Sequence, residues 1–430
     1  MQLAYGSQLL SFHPDSGIHW RVFPEWEPDE SAPPPSGWIE PAIAELIRQL
    51  TSLGASRGDN LLLVVPDHTR RCRLDEILPR LLPELEDALS LRIRILVANG
   101  SHVLQPEARM REVIGAEVYE AYPVVQHDCR EEKRLEFLGT TTRGTPVTIN
   151  RMALETDWVV TIGGILYHYF AGFGGGPKML LPGIAGEETI RRNHRLTLDP
   201  GSGQFHPDCR EGEIERNPVY LDLAEVCTFF PHALSLQLVL SPSGRLAAAA
   251  AGTILATQRR LLPEVRRFYS VPIPGHADLV IASAGGYPGD VNLIQSHKSI
   301  HHAFQALKPG GTLVVLAECS EGIGSAAFMS YFTGASAAEM GGELLRSYRI
   351  NGHTALAMKS KTEAARVILV SALAPDQVRR TGMIPAASLE QAWELARPDL
   401  LEGATGYILP QASKYLPLAL PAPEAGRSSM

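Results

Sequence analysis

The chain has 430 residues, more than a single hydrophobic core ordinarily serves, so two α/β domains are expected. Its 39 basic and 47 acidic residues leave a formal charge of -8, which argues against a nucleic-acid partner and for a soluble protein acting on a small molecule. The opening MQLAYGSQLLSFHPDSG has no cationic segment ahead of an apolar one, and no apolar run reaches the roughly 18 residues of a membrane span, so a cytoplasmic protein with no membrane partner is expected.

In chain order, apolar runs of strand length recur: NLLLVVPD at 60–67, RIRILVANGS at 92–101, DWVVTIGGI at 157–165, DLVIASAGG at 278–286 and GTLVVLAEC at 311–319. Runs rich in β-branched residues that end in Gly, Asn or Asp are the pattern of buried parallel strands, so the fold class is α/β, two domains with mainly parallel sheets. Ligands of such sheets bind beyond the carboxyl ends of the strands. The clusters PDHTR, NGSH, GGILYHYF and GGYPGD each directly follow a strand and are expected to converge on an active-site cleft between the domains. The stretch EETIRRNH, ending at His194, reads as a short helix with acidic residues in its first turn and basic ones in its last. Residues 199–218 form a polar, irregular stretch long enough to suggest a functional loop such as a lid. Pro and Gly around 262–276 place the domain boundary there, giving a first domain over 1–265, a second over 266–412, and a poorly ordered tail over 413–430. Cys72, Cys129, Cys209, Cys227 and Cys319 are scattered with no CxxC pair and are read as reduced, mostly buried thiols.

The densest stretch runs from Gly163 to His194, where glycines surround a single lysine, Lys178, and let backbone approach a ligand closely. It is not a Walker loop, because Pro177 precedes the lysine and Met179 follows it, and Pro177 also breaks a GxGxxG reading. Taken singly, His168 among aromatics is as readily a core residue as a catalyst, His194 could cap a helix, and His102 divides the same way. His297, His301 and His302 invite a metal-site reading because positions four apart share a helix face, but an amphipathic helix explains them better. The strand-end clusters together offer a lysine, three histidines and an arginine without a group of cysteines or carboxylates. Imidazole suits nickel, zinc or copper, yet one histidine alone holds a metal poorly, so further ligands must come from elsewhere.

HYFAGFGGGPKMLLPGI with its downstream NH, the strand-end PDHTR, the NGSH and the later GGYPGDVNLIQSHK resemble the lactate racemase family, in the same order and over most of the chain. The resemblance implies a nickel-pincer nucleotide, a pyridinium mononucleotide that binds nickel through two sulfurs and a ring carbon and is joined to a lysine. By position that lysine is Lys178, and the fourth nickel ligand is His194. It further implies a racemase or epimerase that inverts C2 of a 2-hydroxy acid by hydride transfer through a 2-keto acid. His102 and His168 would be the acid and base for the two stereoisomers, a task suited to a pKa near neutrality. Arg70 would grip the substrate carboxylate with its planar fork, and Gln295 and Lys298 would bind substrate from the second domain. Asp67 and Thr69 would orient the arginine or the cofactor, unless they merely form an Asx-type turn. Separate cofactor-biosynthesis enzymes are implied as partners in maturation.

The chain departs from the family pattern at Gly174-Gly175-Gly176-Pro177, where Ser-Gly-Gly-Arg is more usual, at Arg71, where proline follows PDHTR, and at Ile294, where lactate-specific members carry tyrosine. Loss of that phenol points to a substrate larger than lactate, such as a sugar acid of the gluconate type. Lactate racemase proper is the alternative. A nicotinamide-dependent dehydrogenase lacks its GxGxxG here, and a non-catalytic cofactor carrier would not need both His102 and His168.

Overall fold

A computed structural model describes residues 1–25, 39–70, 72–325 and 327–420, so Arg71 and residues 421–430 lie outside the described residues. They fall into two compact units: one within Pro28–Thr197 and His206–Phe268, the other within Met1–Glu27, Leu198–Phe205 and Tyr269–Met430.

The first unit is built on a six-stranded sheet in the order Leu246–Thr253, Leu234–Leu240, Trp158–Gly164, Asn60–Pro66, Arg92–Ala98, Val124–Gln126. The Leu234–Leu240 and Leu246–Thr253 pair is antiparallel and the other pairings are parallel. Asn60–Pro66 is central, and six of its seven residues are buried, as expected of a strand covered on both faces. Helix Leu74–Leu89 buries Leu74, Ile77, Leu78, Leu81, Leu82 and Leu85, a spacing that lines one helical face. Each such leucine stabilises the unit by about 1.5–3 kcal/mol relative to an exposed one. A parallel sheet, closed on its faces by helices, leaves its polar groups to the loops at the strand ends, where the candidate residues lie.

The second unit carries an all-parallel sheet in the order Ile384–Ala386, Arg366–Val370, Leu307–Leu316, Ala277–Ser283, Thr405–Leu409, His19–Val22. All five expected strands are present, and the α/β class with mainly parallel sheets stands. Two boundaries differ. His19–Val22 pairs in parallel register with Thr405–Leu409, so the N-terminal residues belong to the second unit and not to a continuous 1–265 domain. The boundary expected within 262–276 falls between Phe268 and Tyr269, at the end of helix Ile254–Tyr269, which carries Pro263 inside it. The tail is ordered in part, because Leu416–Ala419 pairs with Ser270–Ile273. The expected 199–218 loop is divided, Leu198–Phe205 grouping with the second unit and the rest with the first. Cys72, Cys129, Cys209 and Cys319 are buried and Cys227 partly so, all as free thiols. Among the described residues no helix is long and apolar enough to cross a membrane.

Candidate functional site

The chain leaves strand Asn60–Pro66 at Asp67, which is buried to 2% exposure. Its Oδ1 accepts from the Thr69 backbone N–H at 3.2 Å and from the Thr69 hydroxyl at 2.7 Å, an Asx-type turn. Its Oδ2 lies 2.6 Å from His102 Nδ1. The turn and the functional contact therefore coexist, one on each oxygen, and the group that Asp67 orients is His102. Burial pushes the Asp67 carboxyl up, but the hydrogen bond and charge of His102, the Thr69 hydroxyl and the Arg70 charge outweigh it and hold the group below the ordinary carboxylate range. A carboxylate at that distance accepts a hydrogen bond from an Nδ1–H, which fixes the tautomer with Nε2 as the basic nitrogen. His102 follows strand Arg92–Ala98, and its loop is pinned where the Gly100 N–H donates to the Gly183 carbonyl at 3.0 Å. Arg70, exposed, donates its backbone N–H to the Asp67 carbonyl.

Beyond strand Trp158–Gly164 the chain forms a tight antiparallel pair, His168 opposite Gly172 and Tyr167 opposite Phe173. The Ala171 N–H donates to His168 Nδ1 at 3.4 Å, which favours the tautomer with its proton on Nε2. Phe170, 3% exposed, is the hub of the site. Its ring centroid lies 4.4 Å from that of His168, 4.9 Å from Lys178 Nζ and 5.1 Å from the ring of His194. Three residues of different character thus share one ring. Its carbonyl is held by Asn217 Nδ2 at 2.9 Å, and Asn217 in turn caps helix Pro218–Val226.

Lys178 sits in a single 3-10 turn, Gly176–Met179, with Pro177 at its start, where a missing N–H and a fixed φ do no harm. Desolvation, aided by the Arg70 charge, pulls the Lys178 amine down to about 7, although the residue as a whole is only partly buried. His194 is on helix Glu187–Arg195, the helix expected from EETIRRNH, and is buried. Its Nδ1 donates to the Ile190 carbonyl at 2.7 Å. Desolvation and the neighbouring Lys178 charge draw its pKa down to about 3, against the opposing effect of that backbone bond. The imidazole is therefore neutral at physiological pH with its lone pair on Nε2, the state a metal ligand requires.

Asp67, Thr69, Arg70, His102, His168, Lys178 and His194 all belong to the first unit. Gln295 and Lys298 belong to the second, on helix Leu293–Phe304, where Lys298 Nζ donates to Gln295 Oε1 at 3.1 Å. His297, His301 and His302 are buried on the same helix, and among the described residues no group of three or more His, Cys, Asp or Glu could hold a metal ion. Ile294 packs against the second unit's core. Sequence reasoning missed Phe170, though it lies inside the motif, because nothing in its identity distinguishes it from Tyr169. It also missed Gln237, Gln258 and Tyr220, which hold the lysine loop from outside the motif and carry no spacing signal.

Comparison with known proteins places the chain in a family. Residues 5–204 match the family model of the lactate racemase N-terminal domain, and residues 274–411 match that of the lactate racemase C-terminal domain. A lactate racemase of Thermoanaerobacterium thermosaccharolyticum is 33% identical over 279 residues, 64% of this chain and 63% of that protein. A second, from Lactiplantibacillus plantarum, is 32% identical over 272 residues, 63% of this chain and 62% of that one. In sequence the chain therefore spans 63% of the length of the first of these relatives. Among solved structures, the lactate racemase apoprotein from T. thermosaccharolyticum superposes with a TM-score of 0.83 at 26% identity, covering 97% of this chain and 99% of that one. A Thermotoga maritima protein at 16% identity and TM-score 0.67, covering 89% and 98%, shares the fold. With both domain models matched in order along one chain and the fold shared from end to end, this protein belongs to the lactate racemase family.

Proposed function

We propose that this chain is an isomerase, a racemase or epimerase that inverts C2 of a 2-hydroxy acid with a nickel-pincer nucleotide held by Lys178 and His194. The observation that carries the reading is His194: a buried, neutral imidazole whose Nδ1–H donates to a backbone carbonyl and whose lone pair is on Nε2, with a lysine nearby whose amine is drawn down to about 7. One imidazole is too few for a protein-only metal site, but it fits a cofactor that brings its own ligands, and a half-neutral amine fits the covalent link. When bound, the group supplies a reversible hydride acceptor for the α-carbon.

The side chains of this protein do the rest. His102, its Nδ1 held by Asp67, presents Nε2 to a substrate hydroxyl and takes its proton as the α-carbon becomes a ketone. His168 serves the other face as an acid in its imidazolium form and as a base through Nε2 in its Nδ1–H tautomer, both of which give up the 3.4 Å bond from the Ala171 N–H. One histidine per face is what inversion needs. Arg70 binds the substrate carboxylate, Thr69 buttresses Asp67, and Gln295 and Lys298 complete the substrate contacts. Ile294, in place of tyrosine, supports a substrate larger than lactate, such as a sugar acid of the gluconate type, with lactate as the alternative. Cofactor-biosynthesis enzymes serve maturation, and we place the reaction in the cytoplasm, with no membrane or nucleic-acid partner.

Mass spectrometry of protein matured with those enzymes is expected to show a nucleotide adduct on Lys178 and about one nickel per chain. A panel of 2-hydroxy acids, from lactate through malate to gluconate, then identifies the substrate by stereochemical exchange. A fully loaded His102→Ala, His168→Ala variant that still interconverts the stereoisomers at the parent rate would sink the two-base reading.

A further inference from the structure

The loop that presents Lys178 is clamped by side chains distant in sequence. Gln237, on strand Leu234–Leu240 and fully buried, accepts the Gly176 N–H through Oε1 at 2.9 Å and gives its amide N–H to Ser235 Oγ. Gln258, on helix Ile254–Tyr269 and also fully buried, donates through Nε2 to the Gly174 carbonyl at 3.1 Å. Its Oε1 accepts from the Tyr220 hydroxyl at 2.8 Å. One amide thus holds the loop by its oxygen and the other by its nitrogen, on either side of Gly175.

Gly175 and Gly176 have φ of 65° and 53°, the left-handed region that glycine alone visits freely. Such residues have many alternatives and need outside bonds to stay put. The space is closed as well. A Cβ at Gly175 would stand 2.7 Å from the Gly164 carbonyl oxygen and 2.9 Å from Gln237 Oε1, and one at Gly176 would stand 2.6 Å from the Gln258 amide carbon. These two glycines admit the protein's own amides. A ligand is not what they make room for.

We propose that Gln237 and Gln258, with Tyr220 behind Gln258, are positioning residues that set the backbone of the Gly174–Lys178 loop and so hold the Lys178 amine in place for attachment of the cofactor. This rests on reading Lys178 as the attachment residue. The less specific alternative is that the two amides merely tie the sheet and helix together. That alternative predicts lost stability without any change at Lys178.

The test uses the full-length chain free of cofactor. Lys178 is acetylated with trace acetic anhydride over a pH range of about 5 to 10, and its modification is read by peptide mass spectrometry to give a titration midpoint. The parent midpoint is expected near 7. Gln237→Met and Gln258→Met, similar in shape but without the loop bonds, are each expected to raise it by about one unit or more, toward ordinary lysine. Amide exchange across the loop should accelerate about tenfold. Tyr220→Phe should shift the midpoint the same way by less, and it carries the test if a methionine variant does not fold. Leu81→Ala, in the first unit's core but far along the chain, should lower stability while leaving Lys178 unchanged. Clamp variants that unfold more easily but keep the parent midpoint and exchange rates would overturn the proposal, as would an equal shift in Leu81→Ala. Absence of an adduct on Lys178 in matured protein would defeat the functional reading alone, since these midpoints are measured without cofactor.

Discussion

At the scale of single residues, His194 and His102 show how backbone and carboxylate partners assign a histidine its state. His194 gives its Nδ1 proton to Ile190 and is desolvated, so its imidazole signals are expected to show no inflection between about pH 5 and 8 in a titration by NMR. A midpoint near 6.5 would refute the assignment. The sign for stability follows. Between the unfolded value of 6.5 and the folded value of about 3, the unfolded chain binds a proton that the folded one does not. Stability contributed at neutral pH is thus lost as pH falls through that window, at about 1.4 kcal/mol per unit. Asp67 fixes His102 from the other side, and Asp67→Asn in the loaded protein is expected to reduce kcat/KM by about 10²- to 10⁴-fold with little change in fold, because an amide can stabilise the wrong tautomer. Nitrogen-15 shifts of His102 that remain in the Nδ1–H form in that variant would separate a charge effect from a tautomer effect.

The lysine loop is the element in which identity and conformation are hardest to separate. The glycines around Lys178 stand out in the sequence, but their spacing does not say which of them turns the chain and which makes room. Gly176 does both, with a positive φ and an amide where its side chain would be. Gly176→Ala is expected to lose about 1–3 kcal/mol in urea unfolding, the range for a strained backbone position, and unchanged unfolding would contradict the packing described. Phe170 belongs to the same element in function, since its ring touches His168, Lys178 and His194. Phe170→Ala is expected to hydrate the site and raise the Lys178 titration midpoint while leaving the strand Asn60–Pro66 protected in hydrogen exchange. The helix Glu187–Arg195 was legible because its charges run with its dipole, a local rule that needs no tertiary partner.

In the whole molecule, the second unit's sheet recruits the N-terminus. Strand His19–Val22 lies at its edge against Thr405–Leu409, so deleting residues 1–25 is expected to speed amide exchange in Thr405–Leu409 and Ala277–Ser283 and to spare Asn60–Pro66. Equal acceleration in both units would refute the division. No local pattern foretells that pairing, because HWRV is short and mostly exposed, and its partner lies almost the whole chain away. Arg366–Val370, a sheet member paired with Leu307–Leu316, is only five residues long and likewise does not stand out as a run in the sequence.

The sequence by itself determined the α/β class, the five long buried strands and the membership of Asp67, Arg70, His102, His168, Lys178 and His194 in strand-end or motif segments. Those features rest on local periodicity, β-branching and strand-end chemistry, which the chain carries within some ten residues. Only the tertiary structure decided that Asp67 hydrogen-bonds His102, that the Phe170 ring lies against His168, Lys178 and His194, and that Gln237 and Gln258 hold the Lys178 loop. The physical reason is that hydrogen bonds and ring contacts act over a few ångströms of space, and residues 35, 61 or 84 positions apart reach that range only once the sheet has been built.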